Sequence, residues 1–143
     1  MNEKQSGPAP RSLAEEELVR LLGEQQFGVL ATVKRSGHPA MSTVLYRWDR
    51  AERVIRISTT ADRLKARQVR NDPHVALHVS GPDVWSFAVA EGEAEVSDSP
   101  EELLAFAGDQ PDPAAYLEQQ AREGRVVIRI EVRRLYGTAL DIS

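Results

Sequence analysis

Residues 125–136 run without a glycine, a proline or any other turn signal, and Val126, Ile128, Ile130 and Val132 alternate with Val127, Arg129, Glu131 and Arg133. A period of two is that of a β-strand, whose successive side chains point to opposite faces. Residues 84–96 form a second long strand, with Ser86, Ala88, Ala90, Gly92 and Ala94 on one face and a bulge or bend expected at Gly92. A third, 38–48, is expected to bend near Ser42. Long strands that bend favour closure over a flat sheet, because closure removes exposed edges.

Shorter strands fall at 27–34, 53–58 and 74–80, separated by the turns Arg35-Ser36-Gly37, Asp49-Arg50-Ala51-Glu52 and Gly81-Pro82-Asp83. Four helices are expected. One opens on a Ser12/Glu15 capping box and carries the stripe Ala14, Leu18, Leu21 and Leu22. A short basic helix follows Asp62 and stops at Asn71-Asp72-Pro73, since a proline disfavours helical geometry in the residue before it. Ser99-Pro100-Glu101-Glu102 and Asp112-Pro113 open the other two, the last ending near Gly124. These elements predict a mainly β, α+β fold: a six-stranded antiparallel barrel, with a short helix after the third strand and a helical excursion before the last. Residues 1–11, rich in proline, glycine and polar groups, form an expected disordered lead-in to a single domain, 12–143.

Composition narrows the function. The absence of cysteine excludes disulfides, thiolate metal sites and cysteine nucleophiles. The formal charge of −4 argues against a dedicated nucleic-acid binder, whose surface carries a basic excess. No apolar run approaches the roughly 20 residues that span a bilayer, and no export signal opens the sequence, so a cytoplasmic protein without membrane or nucleic-acid partners is expected. Gly-x-Ser-x-Gly, Walker-type and Gly-x-Gly-x-x-Gly motifs are all missing. His74 and His78 share a strand face at a separation of about 13 Å, too far for one metal ion.

The chemistry concentrates at 58–70. Ser58, Thr59 and Thr60 end a strand and lead into a helix whose opening turns carry Arg63 and Lys65. Hydroxyls, unpaired N–H groups of a first helical turn and the positive end of the helix dipole together suit a phosphate. Asp62 fits a second reading equally well, in which its own carboxylate caps the helix. On the helical wheel Arg63, Arg67 and Arg70 form one stripe, ordinarily a solvated face. Lys65 and Gln68 fall opposite them with Leu64 and Val69, so they are expected to point inward and to need a partner, either a bound anion or a neighbouring carboxylate. Residues 40–46 are small or hydroxylated; Ser42, Thr43 and Val44 either let backbone groups approach the edge of a planar heterocycle or are ordinary strand residues.

Several stretches, in this order and spacing, resemble the pyridoxamine 5′-phosphate oxidase-like split β-barrel family, and more closely its deazaflavin branch from actinobacteria, which uses coenzyme F420. They are Phe27-Gly28-Val29-Leu30-Ala31-Thr32-Val33 with Gly37-His38-Pro39, then Ser58-Thr59-Thr60-Ala61-Asp62-Arg63-Leu64-Lys65, and Asn71-Asp72-Pro73-His74-Val75-Ala76-Leu77. Ala90-Glu91-Gly92-Glu93-Ala94 and Arg134-Leu135-Tyr136-Gly137 complete the match.

The resemblance implies a homodimer with cofactor sites at the subunit interface. It assigns Ser58, Thr59, Thr60, Arg63 and Lys65 to the cofactor phosphate, Ser42, Thr43 and Val44 to the deazaflavin ring, and Gln68 to its neighbourhood. The arginine stripe would face the cofactor's oligoglutamate tail, and Trp85 would reach the partner's site. The strand that supplies basic residues to FMN in the oxidases reads Ala40-Met41-Ser42-Thr43-Val44-Leu45 here, without a positive charge, and the sequence ends soon after Gly137. Pyridoxamine oxidase activity is therefore not expected, and FMN ranks second to F420. The activity implied is an F420-dependent reductase passing hydride to an unsaturated small-molecule substrate. An FMN-dependent oxidoreductase and a non-catalytic flavin-, deazaflavin- or haem-binding protein are the alternatives.

Overall fold

The computed structural model describes residues 9–140. Six strands close into an antiparallel barrel in the order β2-β3-β4-β7-β6-β5: β2 Phe27–Val33, β3 Pro39–Asp49, β4 Val54–Thr60, β5 His74–Ser80, β6 Phe87–Ser97 and β7 Arg125–Tyr136. The interior is filled by alternate residues of every strand, among them Leu30, Tyr46, Ile55, Ile57, Leu77, Ile128 and Ile130. The predicted mainly β fold and barrel closure are therefore observed. The expected bulge lies between Glu91 and Gly92, where a Cβ on Gly92 would stand 2.0 Å from the carbonyl oxygen of Glu131.

The ladders are unequal. β2–β3, β4–β7 and β5–β6 each pair over seven residues, and β6–β7 over nine. By contrast β3 meets β4 only where Tyr46, Arg47, Trp48 and Asp49 face Ile57, Arg56, Ile55 and Val54. β2 meets β5 only where Val29, Leu30 and Ala31 face His78, Leu77 and Ala76. The β2–β3 hairpin is thus joined to the four-stranded sheet β4-β7-β6-β5 along two short seams, which splits the barrel.

Helix α1, Glu15–Glu24, buries Leu18, Val19, Leu21 and Leu22. It is tied down by Tyr46, whose buried hydroxyl donates to the carbonyl of Leu22 at 2.6 Å; burial pushes the pKa of this phenol well above the usual tyrosine value. The start of α1 differs from expectation. Arg11–Ser12 is a short strand, β1, paired with β8, Thr138–Ala139, so Ser12 does not cap the helix and Arg11 is not part of a disordered lead-in. The N-cap is Ala14, and the Glu17 carboxylate accepts from its N–H at 2.9 Å. The rest of the expected lead-in, residues 1–8, lies outside the described residues.

Helices α3, Pro100–Ala107, and α4, Pro113–Glu123, start as predicted, with Ser99 accepting from the Glu102 N–H and Asp112 from the Ala115 N–H. Gly124 ends α4 in the left-handed region at φ 68°, a conformation that favours glycine. Among the described residues no helix is long and apolar enough to cross a membrane.

Candidate functional site

Where β3 and β4 part company, the end of β4 runs into α2, Leu64–Asn71, which packs against β2 and β6. The N-cap of α2 is Arg63, in extended geometry and with no side-chain cap. Asp62 does not occupy that position. Its carboxylate accepts from the Thr60 hydroxyl at 2.7 Å. That bond, then a backbone N–H and the more distant charges of Arg63 and Arg67, holds its carboxyl below the usual aspartate range. The first N–H groups of α2 therefore lack a side-chain acceptor, the condition under which a helix start accepts an outside anion.

The three hydroxyls divide. Thr59 is buried on the interior face shared with Ile55 and Ile57, whereas Ser58 and Thr60 lie half-buried on the face of Arg56. Lys65 and Gln68 are half-buried, as the inward reading of the helix wheel requires. Gln68 has an internal partner: its Oε1 accepts from the Thr32 hydroxyl at 2.6 Å, locking α2 onto β2. Lys65 has no hydrogen bond or ion pair with the described residues. Leu64, expected inward, is 67% exposed, and Ala66 and Val69 supply the buried face instead.

The arginine stripe is also revised. Arg70 donates to the carbonyl of Ala61 at 3.1 Å, while the N–H of Ala61 donates to the carbonyl of Gly124 at 2.9 Å. Arg70 thus fixes the strand-to-helix corner and is not a free surface charge. Arg67 instead joins Lys34 and Arg35, from the turn between β2 and β3, around a cavity of about 420 Å³ completed by Leu64, Gln68 and Asn71. No carboxylate lines it, and Lys34, Arg35 and Arg67 form no ion pair with the described residues. Lys34 and Arg35 were not singled out by sequence, because two basic residues at a hairpin turn ordinarily mean a solvated turn.

On β3, Ser42 and Val44 face the interior beside Leu30 and Gly28, while Thr43 is exposed on the outer face beside Val29. Only the backbone edge brings the three together, along the stretch that β4 leaves unpaired. Trp85 stands apart. It lies in the loop before β6, beyond the strand start expected at Val84, and its N–H donates to Asp83 Oδ1 at 2.8 Å. That loop follows the Ser80 end of β5, whereas α2 leads into the His74 end, roughly 20 Å away along the strand. Within one chain Trp85 is not gathered with Lys65 and Gln68.

A helix start open to an anion, an unpaired lysine, a carboxylate-free basic cavity and an unpaired strand edge suit a long, flat, polyanionic cofactor. The chain is similar to an F420 reductase of known structure, with 25% identity over 85% of this chain and 98% of that one, and a TM-score of 0.64. It is also similar to a conserved hypothetical protein from Mycobacterium tuberculosis, with 23% identity over 96% and 90% and a TM-score of 0.72. A FAD-binding protein from Mesorhizobium loti has 19% identity over 95% and 100%, and a TM-score of 0.71. At these last two identities the likeness concerns the fold alone. A family model described as pyridoxamine 5′-phosphate oxidase matches residues 14–139, from the N-cap of α1 to the end of β8. With that match over nearly the whole chain, and the split barrel closed as described, the protein belongs to the pyridoxamine 5′-phosphate oxidase family.

Proposed function

We propose that the protein is an F420-dependent reductase. The observation that carries this reading is the concentration of unpaired cations around α2, in a chain with more acidic than basic residues. A phosphodiester at the start of α2 would meet the hydroxyl of Ser58, the first N–H groups of the helix, the Arg63 side chain and the Lys65 ammonium, with Thr60 left to hold Asp62, while the oligoglutamate tail would lie in the cavity of Lys34, Arg35 and Arg67. FMN brings a single phosphate and leaves that cavity unused, which is why it ranks second. Likeness to an F420 reductase supports the same choice.

Bound in reduced form, F420 supplies a hydride to an unsaturated substrate. The protein's own part is to hold and orient. The free edge of β3 at Ser42, Thr43 and Val44 would offer backbone groups to the ring edge, Val44 and Leu30 would keep its inner side dry, and Gln68, fixed by Thr32, would hold α2 against β2. A homodimer belongs to this reading. The outward side chains of Phe27, Met41 and Leu45 are 62, 69 and 44% exposed on the β2–β3 ribbon, an apolar face suited to a second copy, across which Trp85 would reach the partner's groove.

The test is a fluorescence titration of the purified protein with F420 and with FMN at two salt concentrations. F420 should bind more tightly, and its affinity should fall steeply with salt because several charge contacts form. Binding of FMN with no response to F420 would overturn the proposal.

A further inference from the structure

Thr32 on β2 is 3% exposed, and a buried hydroxyl needs a partner. Its partner is Gln68 on α2, whose Oε1 accepts the hydroxyl proton at 2.6 Å. No other acceptor among the described residues takes that proton. The bond therefore fixes which way the amide lies. Turned over, the amide would donate its amine to the Thr32 oxygen and leave the buried hydroxyl proton without an acceptor.

A glutamine amide has an oxygen that accepts and an amine that donates twice. With the oxygen held on Thr32, the amine diverges from β2. It has no acceptor among the described residues, and it is not closed off in the interior, where the unpartnered side-chain atom of the described residues is Trp48 Nε1. Gln68 opens onto the carboxylate-free cavity that it lines with Lys34, Arg35 and Arg67, and Thr32 does not line that cavity. The three cations there only donate. Thr32 keeps the one oxygen of Gln68 out of their company and leaves them a further donor.

We infer that Thr32 is a positioning residue: by holding the oxygen of Gln68 it presents the amide N–H groups to a carboxylate in the basic cavity. The inference rests on the placement of the oligoglutamate tail proposed above, and it adds a neutral, directed donor to a site otherwise read as charge alone. Lysine is a point charge that attracts a carboxylate from many directions, whereas a planar amide held at one end meets it from one.

The experiment titrates the full chain at low salt, without cofactor, with a γ-linked triglutamate peptide, following side-chain amide resonances by NMR. Gln68→Met assigns the Gln68 pair by its disappearance. Because the probe is not F420, the result does not depend on which cofactor the protein uses. The Gln68 amine resonances should move as the peptide saturates. Thr32→Val, which keeps the shape and removes the hydroxyl, should weaken binding about three- to tenfold, the size of one hydrogen bond, and reduce that movement; Thr32→Ser should restore both. Gln68→Glu keeps an acceptor for Thr32 and removes the donors, so binding should fall more than tenfold without a lower thermal midpoint. A Gln68 amine that stays still while the peptide binds would overturn this inference alone. So would a Thr32→Val variant that binds like the natural protein, or one that loses affinity while the amine still moves in full. A natural protein that does not bind the peptide would overturn the placement of the tail and this inference with it.

Discussion

Arg56 on β4 and Lys65 at the start of α2 are close in sequence, yet their surroundings are opposite. Arg56 is nearly buried and meets Glu102 at 2.8 Å, Asp49 at 3.1 Å and Glu52 at 3.3 Å. Arg129, beside it on β7, reaches Glu102, Glu131 and Glu52 at 3.4, 3.2 and 3.7 Å. The network fastens α3 to the barrel through Glu102. Around α2, Lys65, Arg67, Lys34 and Arg35 form no ion pair with the described residues, and Asp62 feels Arg67 only as a more distant charge. With 22 acidic residues against 18 basic, the chain does not lack carboxylates; it places them elsewhere. Charges paired inside the molecule serve the fold, and charges left unpaired beside a cavity are the ones the proposed function gives to a ligand.

The largest effect that separates the two regions is expected at Arg56. Arg56→Ala strands carboxylates that have lost their counter-charge, a change that costs about 3–5 kcal/mol for a buried pair. Asp49 is 33% and Glu52 57% exposed, so solvent screening reduces the expected loss to about 2–4 kcal/mol. Urea unfolding measures it, and F420 affinity of the folded fraction should be unchanged. Lys65→Ala should do the reverse. Unfolding should be unaltered, while F420 affinity falls by about 1.5–3 kcal/mol, on the order of ten- to hundredfold, as for other charge-assisted contacts. Arg129→Ala, from the paired region, should leave that affinity alone. A loss of stability in Lys65→Ala together with unchanged binding would dissolve the contrast.

The sequence made much of this architecture legible, but the seams were not. Period-two alternation located all six barrel strands, because each buries one face, and Ser99 and Asp112 located two helix starts through local capping chemistry. Ser12 misled for the same reason. Its capping pattern is local, whereas pairing of β1 with β8 is a tertiary event that took the backbone out of reach of a helix start. Where a ladder ends is likewise set by distant strands, so neither the parting of β2 from β5 nor that of β3 from β4 could be read from alternation. The inward turn of Gln68 was legible, but its partner Thr32 was not, being 36 residues away. Arg70 looked like its neighbours Arg63 and Arg67 until the fold brought the Ala61 carbonyl to it.

Smaller effects sharpen the comparison further. Arg63 and Arg67 stand four residues apart at the positive end of a helix, a like-charge arrangement that disfavours the helix. Arg67→Gln should therefore raise stability slightly, by about 0.2–0.5 kcal/mol, while weakening F420 binding. A thermal midpoint that rises as affinity drops is the pattern expected where function holds charges that the fold does not need.

The least effect is expected in acid. The carboxyl of Asp49 is held below the usual aspartate range by the Glu52 backbone N–H, at 3.1 Å, and then by the Arg56 guanidinium. Because its folded value is lowered, its contribution to stability is fully present above the unfolded value of about 3.9 and is lost as pH falls through the folded value. Arg56→Ala removes only the second cause. The stability difference between natural protein and variant should thus be constant from neutrality down to about pH 4 and narrow below it, as protonation of Asp49 takes from the natural protein what the variant already lacks. Unfolding curves collected at intervals below pH 5 measure this, and a difference that widened in acid would mean that the Asp49–Arg56 pair is not what the guanidinium stabilises.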